Sequence, residues 1–448
     1  MQTRKIATIV TVVVALILLL ATSSTTAGPP VEVGKGSSRS TLAGKAGPAA
    51  PDVNAAGAPF GSNFPISELS GDQVRPAVAY NSQQQEYLVV YQNEWTPKSI
   101  YGQRVAKNGP RFGPPFNVFV GPGDGTKPAV AYNSQHNQYL AVWKHNGPYE
   151  WGIRGVILSA TGTPLSGQIR IMQTNVPTSD YDQPAVAYAY TADRYLVVFR
   201  FNNLSGGKSI LGQALMSDGS LDGISFEVVP YTADRLEHLD LAYNRARNEF
   251  LVVWQQAAAI VGNWDIYGRR VKMAGGVGVL GGPIALSTLS NEETAPAVAA
   301  IPIPAGLGQY LVVFEQRYTP SDRDIMARQV AGDGGLGLNF AISTAAEDQS
   351  NPAVAGNESA QQYLVAWTQS FQLLANTTIH GMAFSMGGNA MSQDTVFGGL
   401  FGDHAAVASG WGGDYLAAFD DQPLLGDRDI YGQLWGNRLF LPLVVKNH

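Results

Sequence analysis

Hydrophobic residues in this chain gather into short runs of three kinds that follow one another in a fixed order. The first is small and ends in Ala: Val78-Ala79, Val130-Ala131, Val186-Ala187, Leu241-Ala242, Val298-Ala299, Val354-Ala355 and Val407-Ala408. The second is apolar throughout and bracketed by aromatic residues, beginning at Tyr87, Tyr139, Tyr195, Phe250, Tyr310, Tyr363 and Tyr415. The third mixes apolar and polar positions around an Ile followed two places later by Gly: Ile100, Ile153, Ile210, Ile266, Ile325, Ile379 and Ile430, with Ala327 the single replacement for Gly. The runs are about five residues long, β-branched and aromatic, and separated by Gly, Pro, Asn and Asp, which predicts strands joined by turns. No amphipathic helical period competes with them.

Successive Ile anchors stand 53, 57, 56, 59, 54 and 51 residues apart. A period near fifty with several short strands per unit predicts a β-propeller blade, whereas a β-solenoid coil needs only about half that length. The fold class expected is all-β, a seven-bladed propeller with four antiparallel strands per blade. Small residues in the first strand suit the channel wall, where wedge-shaped blades converge. A second strand apolar on both faces suits the middle of a blade sandwiched between two others. The Gly of the third strand leaves room for a closely packed neighbour, assigned to the aromatic that ends strand two. A weak fourth run, such as Phe116 to Phe119, is expected at the exposed outer edge.

The whole length of 448 residues would ordinarily suggest about three domains, but repeats that each cover a neighbour make one ring. Residues 1–27 read as an export signal, with Arg4 and Lys5 before an apolar core from Ile6 to Leu20 and small residues at Thr25-Thr26-Ala27. That core is short of the roughly twenty residues needed to span a bilayer, so no membrane association is expected beyond export. Residues 28–57, rich in Gly, Pro, Ala and Ser, predict a disordered linker. The propeller should occupy residues 58–435, and residues 436–448 a tail packed as an edge segment. The last unit carries only its first three strands, and Phe60 to Ser67 resembles a fourth, so an N-terminal strand is expected to close the ring. Pro442 makes the tail a poorer donor for that place.

The succession PAVAYN, YLVVW and DIYGQRV resembles a repeat of secreted bacterial β-propeller proteins and covers about residues 60–435. The resemblance implies architecture and an extracellular or cell-surface location; it says little about activity.

Charge and chemistry narrow the partners. Formal net charge is −6, and −8 once the two basic residues of the leader are removed, which disfavours nucleic acid. The chain has no Cys, so no disulfides staple it. Six His without metal-ligand spacing and the lack of a GxSxG turn remove the commonest catalytic signatures. An acidic residue stands four positions before the Pro of the inner strand at Asp72, Asp124, Asp180, Glu292 and Asp348. These carboxylates either hold loop N–H groups or form an acidic rim whose oxygens would suit Ca²⁺; no other cofactor is expected. Loops joining the second and third strands carry Trp95, Tyr149, Trp151, Trp264, Tyr318 and Phe371, rings able to stack on sugars, clamp a peptide, or simply cover their own loops. The function expected is an exported, non-catalytic recognition scaffold, acting as a monomer on a glycan or protein ligand at the channel mouth. The alternative is a carbohydrate-active enzyme, a glycoside hydrolase or lyase, using two of the rim carboxylates.

Overall fold

A computed structural model describes residues 57–436, apart from short loop segments at 177–178, 204–205, 261, 274–275, 303–305, 307, 372–375, 400 and 424–425. The predicted leader, nearly all of the linker and the tail after Gly436 lie outside the described residues. Contacts divide the chain into residues 1–50 and 51–448, and the described residues all belong to the second unit.

The described residues form seven four-stranded antiparallel sheets. Six are contiguous in sequence, as in the first: Gln73–Asn81, Glu86–Asn93, Ser99–Ala106 and Arg111–Phe119, paired in that order. The seventh joins Asp403–Ser409, Tyr415–Asp421 and Asp429–Gly436 to the N-terminal strand Ala58–Ser67. There Phe60 pairs with Leu434 and Ser67 with Ile430, and the Gln433 side chain donates to the Phe60 carbonyl at 3.2 Å. Each first strand packs against the first strands of the blades on either side, the seventh against the first, so the sheets close into a ring. This is a seven-bladed β-propeller, closed by its N-terminal strand as the sequence predicts.

Burial follows strand position. Every residue from Tyr87 to Tyr91 and from Phe250 to Trp254 is fully enclosed, whereas the outer strand Arg111–Phe119 is exposed over its first four residues. The apolar residues fall into seven cores, each shared by two adjacent blades. Leu88 and Val90 of the first blade, for example, pack with Tyr139 and Trp143 of the second. A blade therefore has no separate interior, and its stability depends on both neighbours.

The third-strand Gly is explained differently from the expectation. A Cβ on Gly102 would stand 2.6 Å from the Phe116 ring, one on Gly212 2.6 Å from Phe226, and one on Gly432 2.8 Å from Phe64. The ring that needs the space comes from the fourth strand. The aromatic ending strand two instead stacks on the residue just before the Gly, Tyr91 on Tyr101 and Trp254 on Tyr267, each with centroids 6.2 Å apart.

Candidate functional site at the channel mouth

The ladder between first and second strands skips at the same point in all seven blades, between Val74 and Ala77 in the first and between Asp403 and Ala406 in the last. Five blades have Pro there, at Pro76, Pro128, Pro184, Pro296 and Pro352; lacking an N–H, it cannot extend the ladder. Leu239 and Ala405 keep the same bulge in the other two. The residue before this position takes a left-handed backbone in every blade: Arg75 (φ 55°), Lys127 (52°), Gln183 (53°), His238 (50°), Ala295 (49°), Asn351 (52°) and His404 (47°). Such a φ is uncommon for residues other than Gly and costs on the order of 1–3 kcal/mol each.

A side-chain oxygen offsets part of that cost by accepting the backbone N–H of each of these residues. Where the acceptor comes from the preceding blade's second strand, Asp420 takes Arg75 N at 3.1 Å, Gln92 takes Lys127 N at 2.9 Å, Gln255 takes Ala295 N at 2.8 Å and Glu315 takes Asn351 N at 2.8 Å. In the remaining blades Asp182, Gln183 and Asp403 take the N–H of Gln183, His238 and His404 at 2.8, 2.8 and 2.9 Å. Carboxylates and amides here hold the frame while the left-handed residues face inward.

Those seven residues and the ones after them line a cavity of about 470 Å³ at the centre of the ring. No carboxylate is among its described lining residues; Arg, Lys, Gln, His and Asn supply hydrogen-bond donors. Lys127 Nζ pairs with Asp182 at 2.9 Å, and Arg200 reaches the same carboxylate at 3.2 Å. Burial would raise the Asp182 carboxyl, but Lys127 and Lys144 outweigh it and hold the group below the usual range. His404 Nδ1 lies 3.2 Å from Asp420, and the Asn351 amide donates to Asp403 at 2.8 Å. Arg75 is exposed to the cavity, and no described residue pairs with its guanidinium.

A cleft of about 300 Å³ opens beside this cavity between the fourth and fifth blades and shares His238, Ala295 and Asn351 with it. Its walls hold Trp264 together with paired charges: Arg317 with Glu292 at 3.0 Å and Arg323 with Glu315 at 3.2 Å. The Arg235 guanidinium lies over the Trp264 ring, 4.5 Å from its centroid.

The rim acids divide into two groups. Asp72 accepts the N–H of Arg428 at 2.8 Å, Asp124 that of Lys98 at 2.8 Å, and Asp348 that of Arg323 at 3.1 Å, so each ties the start of one blade to the preceding blade's third strand. Asp348 also takes the Arg323 guanidinium, with Nε at 2.8 Å, while Asp180 pairs with Lys144 at 2.6 Å and Glu292 with Arg317. Spread over separate blades, the five do not converge on one point as the six to eight oxygens of a Ca²⁺ site must. Among the described residues, no group of three or more His, Asp or Glu side chains is placed to hold a metal ion.

Of the loop aromatics, the cleft takes in only Trp264. Trp95 is 63% exposed and lies across Gly71, Tyr149 is 85% exposed and Tyr318 49%, while Trp151 and Phe371 are half-buried. Sequence reasoning passed over the residue that precedes the inner-strand Pro. A signal was present, because that position reads Arg, Lys, Gln, His, Ala, Asn, His down the repeats, a polar series inside an otherwise small and apolar run.

Fold and site together define a β-propeller with a donor-lined channel mouth. No protein-family model matches the chain, and no curated protein matches it in sequence. Among solved structures, it is similar in fold to a protein of unknown function from Dyadobacter fermentans, at a TM-score of 0.51 and 10% identity over 84% of this chain and 98% of that one. Lower similarities link it to the β-propeller domain of the Trilobed protease from Pyrococcus furiosus (TM-score 0.45, 6% identity, 83% of this chain and 99% of that one) and an endo-arabinase from Bacteroides thetaiotaomicron (0.38, 11%, 64% and 100%).

Proposed function

We propose that this chain is an exported, non-catalytic recognition module that takes a polar ligand, glycan or peptide, at the channel mouth. The observation that supports this reading best is the state of the mouth carboxylates. Glu292, Glu315, Asp180 and Asp182 are each neutralised by a neighbouring Arg or Lys, and Asp72, Asp124 and Asp348 accept backbone N–H groups. A general acid needs a carboxyl that keeps its proton near working pH. The carboxyls that burial pushes up, Asp240 to about 6, Asp265, Glu293 to about 7, Asp324 to about 6 and Asp429 to about 6, line neither cavity. Export is supported by the N-terminal signal read in the sequence.

The test is binding and turnover measured together on glycan and peptide panels. Recognition without catalysis gives saturable binding, no product, and a panel profile kept by Asp124→Asn and Asp180→Asn. The carbohydrate-active alternative gives product that falls by about 10²-fold or more in one of the carboxylate variants Asp124→Asn, Asp180→Asn or Glu292→Gln, and that result overturns the proposal.

A further inference from the structure

We infer that the ligand of the channel mouth is an acidic oligosaccharide, whose carboxylate sits against Arg75 in the central cavity while an adjoining sugar lies on Trp264 in the side cleft. The inference rests on the recognition reading above and adds the ligand's chemical class.

Charge selects the acid group. The cavity wall offers donors from Arg75, Lys127, Gln183, His238, Asn351 and His404 and no described carboxylate, so an anion entering it meets complementary groups from six of the seven blades, the fifth presenting Ala295. Lys127 shares Asp182 with Arg200, whereas Arg75 has no described partner and is the cation free to form a bidentate pair with a ligand carboxylate. The cavity's size, about 470 Å³, falls in the range of about 300–1,000 Å³ usual for small-ligand sites.

The cleft selects the sugar. Apart from Trp264 and Ala295, its lining is polar or charged, which leaves little for the apolar side chains of a peptide. The Glu292 with Arg317 pair, partly exposed in the cleft, places acceptor and donor side by side, the arrangement that adjacent sugar hydroxyls need because each both donates and accepts; Glu315 and Arg323 are engaged by Asn351, Thr294 and Asp348 and serve as wall. Arg235 covers one face of Trp264 but does not line the cleft, so it is the remaining surface of the ring that meets the less polar side of a sugar. The two cavities share His238, Ala295 and Asn351 in their walls, so the space is continuous from one to the other.

The experiment titrates the full-length protein with a hexuronate trisaccharide, the matching neutral hexose trisaccharide, and a tripeptide with a free C-terminal carboxylate, for wild type, Arg75→Gln and Trp264→Ala. Gln already occupies the same left-handed position at Gln183, so the first variant keeps the backbone. The expected result is tighter binding of the uronate than of the neutral sugar by about tenfold or more, weakened by added salt. Arg75→Gln should erase that preference, and Trp264→Ala should weaken both sugars. Equal affinity for the two sugars, or an Arg75→Gln variant that keeps the preference, overturns the inference and leaves recognition standing. Binding of the tripeptide with neither sugar bound overturns the sugar class. Product release counts against the recognition reading alone, since the uronate preference is still read from the affinity ratio.

Discussion

Glu293 shows what one exchange does inside a repeat. The equivalent residues Gln73 and Gln349 plug a loop, their amides donating to Leu69 O at 2.8 Å and Ala345 O at 3.1 Å. Glu293 keeps the accepting half of this arrangement, with Leu289 N at 3.2 Å, but its other oxygen is enclosed without a partner, and burial pushes the carboxyl up to about 7. Because the folded protein binds this proton more tightly than the unfolded chain, the stabilisation is complete below the ordinary Glu value and is lost as pH rises through about 7. Glu293→Gln should therefore raise Tm by a few degrees at pH 8 and change it little at pH 4, measured by calorimetry. An equal effect at both pH values would mean that the carboxyl is ionised throughout.

The residues that line the channel were harder to find from sequence, and the reason is conformational. A left-handed φ is advertised by Gly; at Arg75, Lys127 or His238 it comes from the bulge around the following residue, and nothing in the residue's own chemistry announces it. The acid four places earlier repeats more visibly, yet Asp72 and Asp124 seal blade to blade.

At the scale of the element, the sequence was far more legible. A strand apolar on both faces has one environment available to it, so Tyr87 to Tyr91 and Phe250 to Trp254 declared their burial directly. The closing strand was legible because the last unit lacked a partner that Phe60 to Ser67 supplies. What the pattern left ambiguous was which ring fills the gap above the third-strand Gly, since the rings of strand two and strand four both stand within reach of it in sequence terms. The closing strand also carries this scale's prediction. Ile66 is fully buried, and without Ala58–Ser67 the strand Asp429–Gly436 becomes an open edge. Deleting residues 58–67 should lower Tm by on the order of 10 °C, and an unchanged Tm would mean that the ring is closed by something else.

For the whole molecule, the seven shared cores couple each blade to its neighbours, and the ring they form holds the inward-facing residues at a common level. Sevenfold repetition builds the frame, while variation at one position per repeat writes the chemistry: the wall is polar and cationic because Arg, Lys, Gln, His and Asn stand where the frame tolerates any residue able to take the bulge. This wall, with the cleft beside it, is the proposed seat of the ligand. The most direct measurement is a crystal structure of the protein grown with an excess of a hexuronate trisaccharide. The expected result is density for a sugar carboxylate within hydrogen-bond distance of the Arg75 guanidinium and a sugar ring of the same chain over Trp264. Ordered trisaccharide at another face, or a channel mouth holding only solvent at saturating ligand, would contradict it.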